Sequence, residues 1–327
     1  MKTLIEGFPQ QLKDAIAIAD KVPFRYYERE FSSVLVLGLG GSAFGAEIVK
    51  NVAHHTAKAP IMISRGYDIP GWVNSNTFVI ACSYSGNTEE TLMAVDIAHK
   101  RGSQIICVTS GGELRKFAQV HNHPVIELPG GFPPRAACGY SMVQQLAILH
   151  HLKLIPAWKP DLLEAIALLE GFDAHAAARE VAQGLKGRYA AIYSADIAES
   201  MAIRWRQQIN ENSKQLCWHH VVPEMNHNEL VGWHHPVDLM PHTAVVQLRT
   251  QYDHKRVARR FEITEPIYRQ HTPHIFDIQA EGKSLMAQLL YLLHFGDWVS
   301  LYLAELNGVE PTPVAVIDYL KGALAEG

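Results

Sequence analysis

Ser83, Ser85 and Thr88 put three hydroxyls into one hexapeptide, Ser-Tyr-Ser-Gly-Asn-Thr, which joins an apolar run to a segment opening on Glu89-Glu90. Hydroxyls combined with backbone N–H groups make a neutral cradle for a phosphate dianion, and Gly86 and Asn87 tolerate left-handed backbone. Helix N-capping is the structural alternative, but it uses one hydroxyl rather than three. A second turn, Gly38-Leu39-Gly40-Gly41-Ser42, also follows an apolar run. Glycine lets backbone approach an anion closely, and a helix starting there adds favourable potential. Its other readings are a plain tight turn or a dinucleotide loop. For the latter, Gly38, Gly40 and Ala43 fit G-x-G-x-x-A only formally. No complete P-loop pattern occurs, which argues against ATP chemistry.

Acid–base groups lie further along. Glu211 sits in Asn210-Glu211-Asn212-Ser213-Lys214, and Glu224 and His227 lie in Pro223-Glu224-Met225-Asn226-His227-Asn228-Glu229. A carboxylate in a partly dry site can serve as a general base, and an imidazole exchanges protons near neutral pH. The plain readings are a solvated Glu at a helix end, a turn-supporting carboxylate at Glu224, and one more surface His among 18. Asn226 and Asn228 are placed to orient His227. Arg135 follows Pro133-Pro134 in a stiff loop, where a guanidinium can hold an oxyanion or pair with a surface carboxylate. His121-Asn122-His123, Trp218-His219-His220 and Trp233-His234-His235 lack zinc-site spacing and read as polar surface or interface.

These groups need elements to position them. Residues 33–37, Ser-Val-Leu-Val-Leu, read as a buried parallel strand, followed by a helix over 43–52. Further strands are expected at 59–64, 77–82, 104–109 and 125–128, with helices at 89–101, 114–119 and 140–153. The second half repeats this order: strands at 188–194, 243–248 and 274–278, helices at 198–212, 257–269 and 284–306. The fold class is therefore α/β, two domains each with a mainly parallel sheet flanked by helices. The boundary is expected near residues 156–160, giving domains 1–155 and 156–327, with an Ala- and Leu-rich linker helix over 162–183 and a short C-terminal helix.

Composition agrees. A length of 327 residues makes two domains the prior expectation, and 48% hydrophobic with 19% charged residues is ordinary globular composition. Lys and Arg number 29 against 33 Asp and Glu, a net charge of −4 that argues against a general nucleic-acid binder. No apolar run approaches the roughly 20 residues of a membrane span. The first residues lack the apolar stretch of a signal peptide, and four cysteines stand without a CxxC pair. Reduced thiols in a cytoplasmic protein are the expectation.

Gly40-Gly41-Ser42 together with Ser83-Tyr84-Ser85-Gly86-Asn87-Thr88 resembles the sugar isomerase (SIS) domain, a phosphosugar-binding α/β fold. Pro134-Arg135-Ala136-Ala137, Asn210-Glu211-Asn212-Ser213-Lys214 and the Glu224–Glu229 run narrow the resemblance to the bifunctional phosphoglucose/phosphomannose isomerase family, with two SIS domains in one chain. The resemblance implies an aldose–ketose isomerase. It would interconvert glucose 6-phosphate, and mannose 6-phosphate, with fructose 6-phosphate through a cis-enediolate after ring opening, with no metal and no cofactor. It assigns phosphate binding to Gly40, Gly41, Ser42, Ser83, Ser85 and Thr88, and the base to Glu211, with Glu224 the competing carboxylate. Ring opening falls to His227, contributed across the interface of a homodimer, assisted by Lys321 of the C-terminal helix. Arg135 would steady the enediolate or a sugar oxygen, and Thr312, between two prolines, would shape the site. The matching turn of the second half, residues 248–253, lacks paired serines and Gly-Asn-Thr, so phosphate binding belongs to the first domain. Two other readings are a SIS isomerase of another sugar phosphate and a non-catalytic phosphosugar-binding regulator. The first would not need the Asn-Glu-Asn-Ser-Lys and Asn-His-Asn pair. The second usually carries a DNA-binding segment, for which the first 30 residues are too short.

Overall fold

A computed structural model describes residues 1–24 and 30–325 of the chain. They divide into two compact units: Glu6–Glu170, and Met1–Ile5 with Gly171–Gly327. A short helix, α1 (Lys2–Glu6), opens the chain.

The unit Glu6–Glu170 runs α2 (Phe8–Ala19), β1 (Ser33–Leu37), α3 (Gly40–Val52), β2 (Ile61–Ser64), β3 (Thr77–Cys82), α4 (Glu89–Lys100), β4 (Gln104–Thr109), α5 (Gly112–Val120), β5 (Val125–Glu127), α6 (Cys138–His151) and α7 (Lys159–Glu170). Its five strands form one parallel sheet in the order β2-β1-β3-β4-β5. β1 and β3 are buried at every residue, the pattern of central parallel strands covered on both faces. On one face Leu35, Leu37, Val79, Ala81 and Ile105 meet Ala94, Val95 and Ala98 of α4 and Leu114 and Ala118 of α5. α6 packs on α2 and α3.

The other unit runs α8 (His175–Leu185), β6 (Tyr189–Ala195), α9 (Glu199–Ser213), β7 (Cys217–Val222), β8 (Thr243–Arg249), α10 (Lys255–Arg269), β9 (Ile275–Gln279), α11 (Leu285–Asn307) and α12 (Ala315–Ala325). Its sheet is again all parallel, ordered β7-β6-β8-β9. That is the crossover of the first sheet with one strand fewer. α11 is buried along almost its whole length, between a Ser284 N-cap and a left-handed Gly308. α9 lies against it: the Trp205 indole donates to the Leu292 carbonyl (2.9 Å), and at Gly296 a Cβ would fall 2.3 Å from that ring.

The expected α/β class with two parallel sheets flanked by helices is present. Three details differ. α3 starts at Gly40 rather than at residue 43, so the glycine run is its first turn. In place of one linker helix over 162–183 there are two, α7 and α8, because the chain breaks after Glu170 at Gly171. β7, Cys-Trp-His-His-Val-Val, was not expected as a strand. It is an edge strand, half-buried at five of its six residues, so its histidines hide the apolar signal.

Candidate active site

In the first unit the two glycine- and hydroxyl-rich turns lie side by side, after adjacent strands β1 and β3. The Tyr84 N–H donates to the Ser42 hydroxyl (3.0 Å), which ties the start of α3 to the hexapeptide. Ser83 organises the turn from inside: its hydroxyl accepts from the Gly86 N–H (3.1 Å) and bonds the Thr88 hydroxyl (2.9 Å). Ser83 is buried while Ser85 is exposed and Thr88 half-buried. Thr88 occupies the N-cap position of α4 without capping it, and no side chain caps α3 either. The capping alternative therefore does not account for Thr88. The starts of α3 and α4 both lie at this corner, and a helix start leaves N–H groups without intrahelical acceptors.

Gly86 alone takes the left-handed conformation expected for the Gly-Asn pair, at φ +73°, and a Cβ there would fall 1.8 Å from the Gly111 carbonyl oxygen. Asn87 does something else. Its Oδ1 accepts from the Glu113 N–H (3.0 Å), pinning the start of α5 to the turn. Tyr84, which the sequence did not single out, links the turn to the Gly- and Pro-rich loop before Arg135. Its hydroxyl donates to the Pro129 carbonyl (2.7 Å) and accepts from the Phe132 N–H (3.0 Å). Burial pushes the phenol pKa up, so it remains a donor.

Arg135 lies in the single turn Pro134–Ala136 and is buried. That turn presses on α3: a Cβ at Gly41 would fall 2.3 Å from the Pro134 carbonyl oxygen and 3.1 Å from the Arg135 Cα. Gly41 is thus required by this close approach. Gly40, Gly41, Ser42, Ser83, Ser85, Thr88 and Arg135 form one constellation within the first unit.

In the second unit Glu211 occupies the last turn of α9, and its flanking residues are pins. The Asn210 side chain accepts from the Cys217 N–H (3.2 Å), that of Asn212 donates to the Ser300 hydroxyl (3.0 Å), and Ser213 donates to the Ser300 carbonyl (2.7 Å). Two turns back, Arg204 holds Asp297 of α11 through two buried bonds of 2.9 and 2.8 Å, with Gln208, one turn back, adding a third at 3.1 Å. Removing one partner of such a buried pair typically costs about 3–5 kcal/mol, so this helix end is firmly seated. Glu211 itself is half-buried.

Glu224 and His227 share the single turn Glu224–His227, and both are exposed. Glu224 accepts from the Asn228 amide (3.0 Å), as a carboxylate supporting its own turn would. The asparagines do not orient His227 as expected. Asn226 accepts from Arg260 (3.2 Å), and Asn228 also caps the following turn through the Glu229 N–H. Glu229, given no role of its own by the sequence, accepts from the Tyr193 hydroxyl and from Trp218 Nε1 (2.9 Å), anchoring the segment to the sheet. Lys321 stands exposed on α12. Thr312 belongs to the tail between α11 and α12, whose Pro311 and Pro313 carbonyls accept from Lys214 (3.3 and 2.8 Å).

The turn after β8 corresponds to the Ser83–Thr88 turn and is built differently. The Asp253 carboxylate accepts from the Thr250 hydroxyl (2.7 Å) and N–H (3.3 Å), with Arg249 Nε at 3.6 Å. Of the histidine groups, His121 and His123 meet His99 beside Phe117, and burial pushes His219 on β7 down to about 4. Among the described residues no group of three or more His, Cys, Asp or Glu is arranged to hold a metal ion, and no helix is long and apolar enough to cross a membrane.

Comparison with known proteins covers both units. The SIS domain family matches residues 29–152, and the family described as bacterial phospho-glucose isomerase C-terminal SIS domain matches residues 174–324. A bifunctional phosphoglucose/phosphomannose isomerase of Caldicellulosiruptor bescii is 36% identical over 332 residues, covering 98% of each chain. The protein of the same name from Aquifex aeolicus is 33% identical over 98% of this chain and 97% of its own. Among solved structures, the C-terminal domain of glucosamine-fructose-6-phosphate aminotransferase from Francisella tularensis superposes with a TM-score of 0.72 over 95% of this chain and 97% of its own. At 12% identity that likeness speaks for the fold alone. Identity of this order across both SIS halves places the chain in the bifunctional phosphoglucose/phosphomannose isomerase family.

Proposed function

We propose that the protein interconverts glucose 6-phosphate, and mannose 6-phosphate, with fructose 6-phosphate. The observation that carries this reading is the full-length match to proteins named for both activities, 36% identical over 98% of the chain. The chemistry asks for a phosphate anchor, a base that moves one proton between C2 and C1, and help in opening the ring.

In this reading the phosphate is held by the starts of α3 and α4 with Ser42, Ser85 and Thr88. Gly40 and Gly41 bring backbone close, and Ser83 sets the turn. The Glu211 carboxylate takes the C2 proton of the open-chain aldose. The released electron pair forms the C1–C2 double bond of a cis-enediolate, and the proton returns at C1 while a hydroxyl proton passes from O2 to O1. Arg135, beside the start of α3, supplies positive charge for the enediolate oxygens. His227 opens the ring, assisted by Lys321. Glu211 is favoured over Glu224 because it is half-buried at the end of a helix whose neighbouring residues are pinned to α11, whereas Glu224 is exposed.

His227 acts from a second copy of the chain in a homodimer. Support comes from its surroundings: Val231, Val237 and Leu239 expose 74%, 62% and 44% of their surfaces in the segment that follows it. Apolar side chains crowded this way favour a covered face. The four cysteines are all free thiols, three of them buried, which fits a cytoplasmic protein.

The test is a coupled assay on purified protein without added metal, supplying fructose 6-phosphate and detecting the two aldose phosphates separately. Wild type should make both. Glu211→Gln should lower kcat by about 10²- to 10⁴-fold while remaining folded. Glucose 6-phosphate as sole product would narrow the specificity, and retained activity in Glu211→Gln would move the base to Glu224.

A further inference from the structure

Lys214 is the least expected residue of its motif. α9 ends there in the left-handed conformation, φ 54° and ψ 35°, a position where a side chain is strained and glycine is the common choice. α11, against which α9 packs, ends in the same conformation and does use glycine, Gly308 at φ 66°. A lysine held in strain points to work done by its side chain.

That work is visible in its partners. The ammonium donates to the Glu211 carbonyl (2.6 Å), the Pro313 carbonyl (2.8 Å) and the Pro311 carbonyl (3.3 Å). An ammonium has three donors, and these carbonyls match them one for one. One acceptor is the backbone of the residue assigned as base. The other two flank Thr312 in the tail that leads directly into α12 and Lys321. Asn307, at the end of α11, adds a parallel tie by donating to the Ser213 carbonyl (3.0 Å) and to Gln215 (3.1 Å).

We propose that Lys214 is a positioning residue that fastens the C-terminal tail to the end of α9, so that Glu211 and the segment carrying Thr312 and Lys321 are held as one piece. The catalytic part of this proposal rests on the isomerase reading above, while the tie does not. Prolines at 311 and 313 suit the role. They offer carbonyls without N–H groups and stiffen the tail, so two bonds fix its course.

The experiment compares the full-length wild type with Lys214→Gly, Lys214→Met and Lys214→Arg. Lys214→Gly removes the ammonium and relieves the left-handed strain together, so its melting temperature should not fall below that of Lys214→Met. In both, backbone amides of residues 312–325 should exchange hydrogen about tenfold faster or more, while those of β6 and β8 stay unchanged. kcat should fall by about 10- to 100-fold with KM within about twofold of wild type, the signature of lost placement rather than lost binding. Lys214→Arg, which keeps the charge and the donors, should recover much of both effects. Unchanged tail exchange in Lys214→Gly would overturn the tie. Faster exchange with unchanged kcat would overturn the positioning role. A wild type without isomerase activity would overturn the functional reading, and the exchange data would still decide the tie.

Discussion

The turns after β3 and after β8 occupy equivalent places in two sheets of the same strand order, and they have opposite chemistry. The first spends hydroxyls on its own shape, Ser83 inward on Gly86 and Thr88, and opens onto a helix that no side chain caps. The second is closed by its own anion. Asp253 takes the Thr250 N–H and hydroxyl, Gln288 takes the Gln251 N–H (2.8 Å), and His254 caps α10 through the Arg256 N–H (3.2 Å). What separates a ligand cradle from a structural turn is therefore which anion satisfies the donors, one from solution or one from the chain. On the proposed reading, the duplicated sheet supplies the geometry twice, and a single carboxylate takes one copy out of phosphate chemistry.

The largest way to break this contrast is to spoil the shape of the first turn. Gly86→Ala would force a Cβ to 1.8 Å from the Gly111 carbonyl oxygen at a positive φ. Thermal unfolding should report a loss on the order of 2–4 kcal/mol, with activity falling alongside. The second turn has no glycine and carries no such liability. A variant melting like wild type would mean that the turn readily adopts another shape.

A sharper test gives the first turn what the second has. Ser85 is exposed, so Ser85→Asp should fold normally, yet it would bring a carboxylate to the donors. Affinity for fructose 6-phosphate, measured by calorimetry, should drop by about 100-fold or more through like-charge repulsion and donor competition. Unchanged affinity would place the phosphate elsewhere. Milder changes should follow from removing single hydroxyls: Ser85→Ala and Thr88→Val should each raise KM by roughly 3- to 15-fold. Each also loses a bond within the turn, Thr88→Val the one to the Ser83 hydroxyl (2.9 Å) and Ser85→Ala the one accepted from the Asn87 N–H (3.3 Å).

How much of this was legible from the sequence follows from how local each signal is. The central strands and the hydroxyl-rich turn announce themselves because burial on both faces and turn chemistry are written in adjacent residues. β7 did not, because an edge strand half-buried at most positions tolerates Trp-His-His where a central strand would be aliphatic. The single linker helix failed at Gly171, where helix-forming composition on both sides outweighed one breaker. Asn226 and Asn228 looked like guides for His227 only by adjacency; Asn226 finds Arg260, 34 residues away, and Asn228 turns back on Glu224 within the same turn. The roles of Tyr84 and Glu229 were missed because their bonds reach 45 and 36 residues along the chain. Gly41 was read as backbone access for an anion; its close approach to the Pro134 carbonyl is a second demand for glycine that adjacent residues do not reveal.

The smallest expected effect tests the second turn by neutralising its anion. Burial holds the Asp253 carboxyl above its ordinary value of 3.8, outweighing the lowering by Thr250 and Arg249. A raised carboxyl pKa means that the folded chain binds this proton more tightly than the unfolded chain does. The stability so gained is fully present below 3.8 and is lost as pH rises through the folded value. Asp253→Asn has no proton to bind, so this step should vanish. The difference in melting temperature, variant minus wild type, should therefore climb with pH from the unfolded value to the raised folded one and then level off. KM for the sugar phosphate should stay within about twofold if the phosphate is held, as proposed, by the first turn. A flat difference profile would mean that the Thr250 bonds and the Arg249 charge fully offset the cost of burial, so that the anion sits in this turn as comfortably as in water.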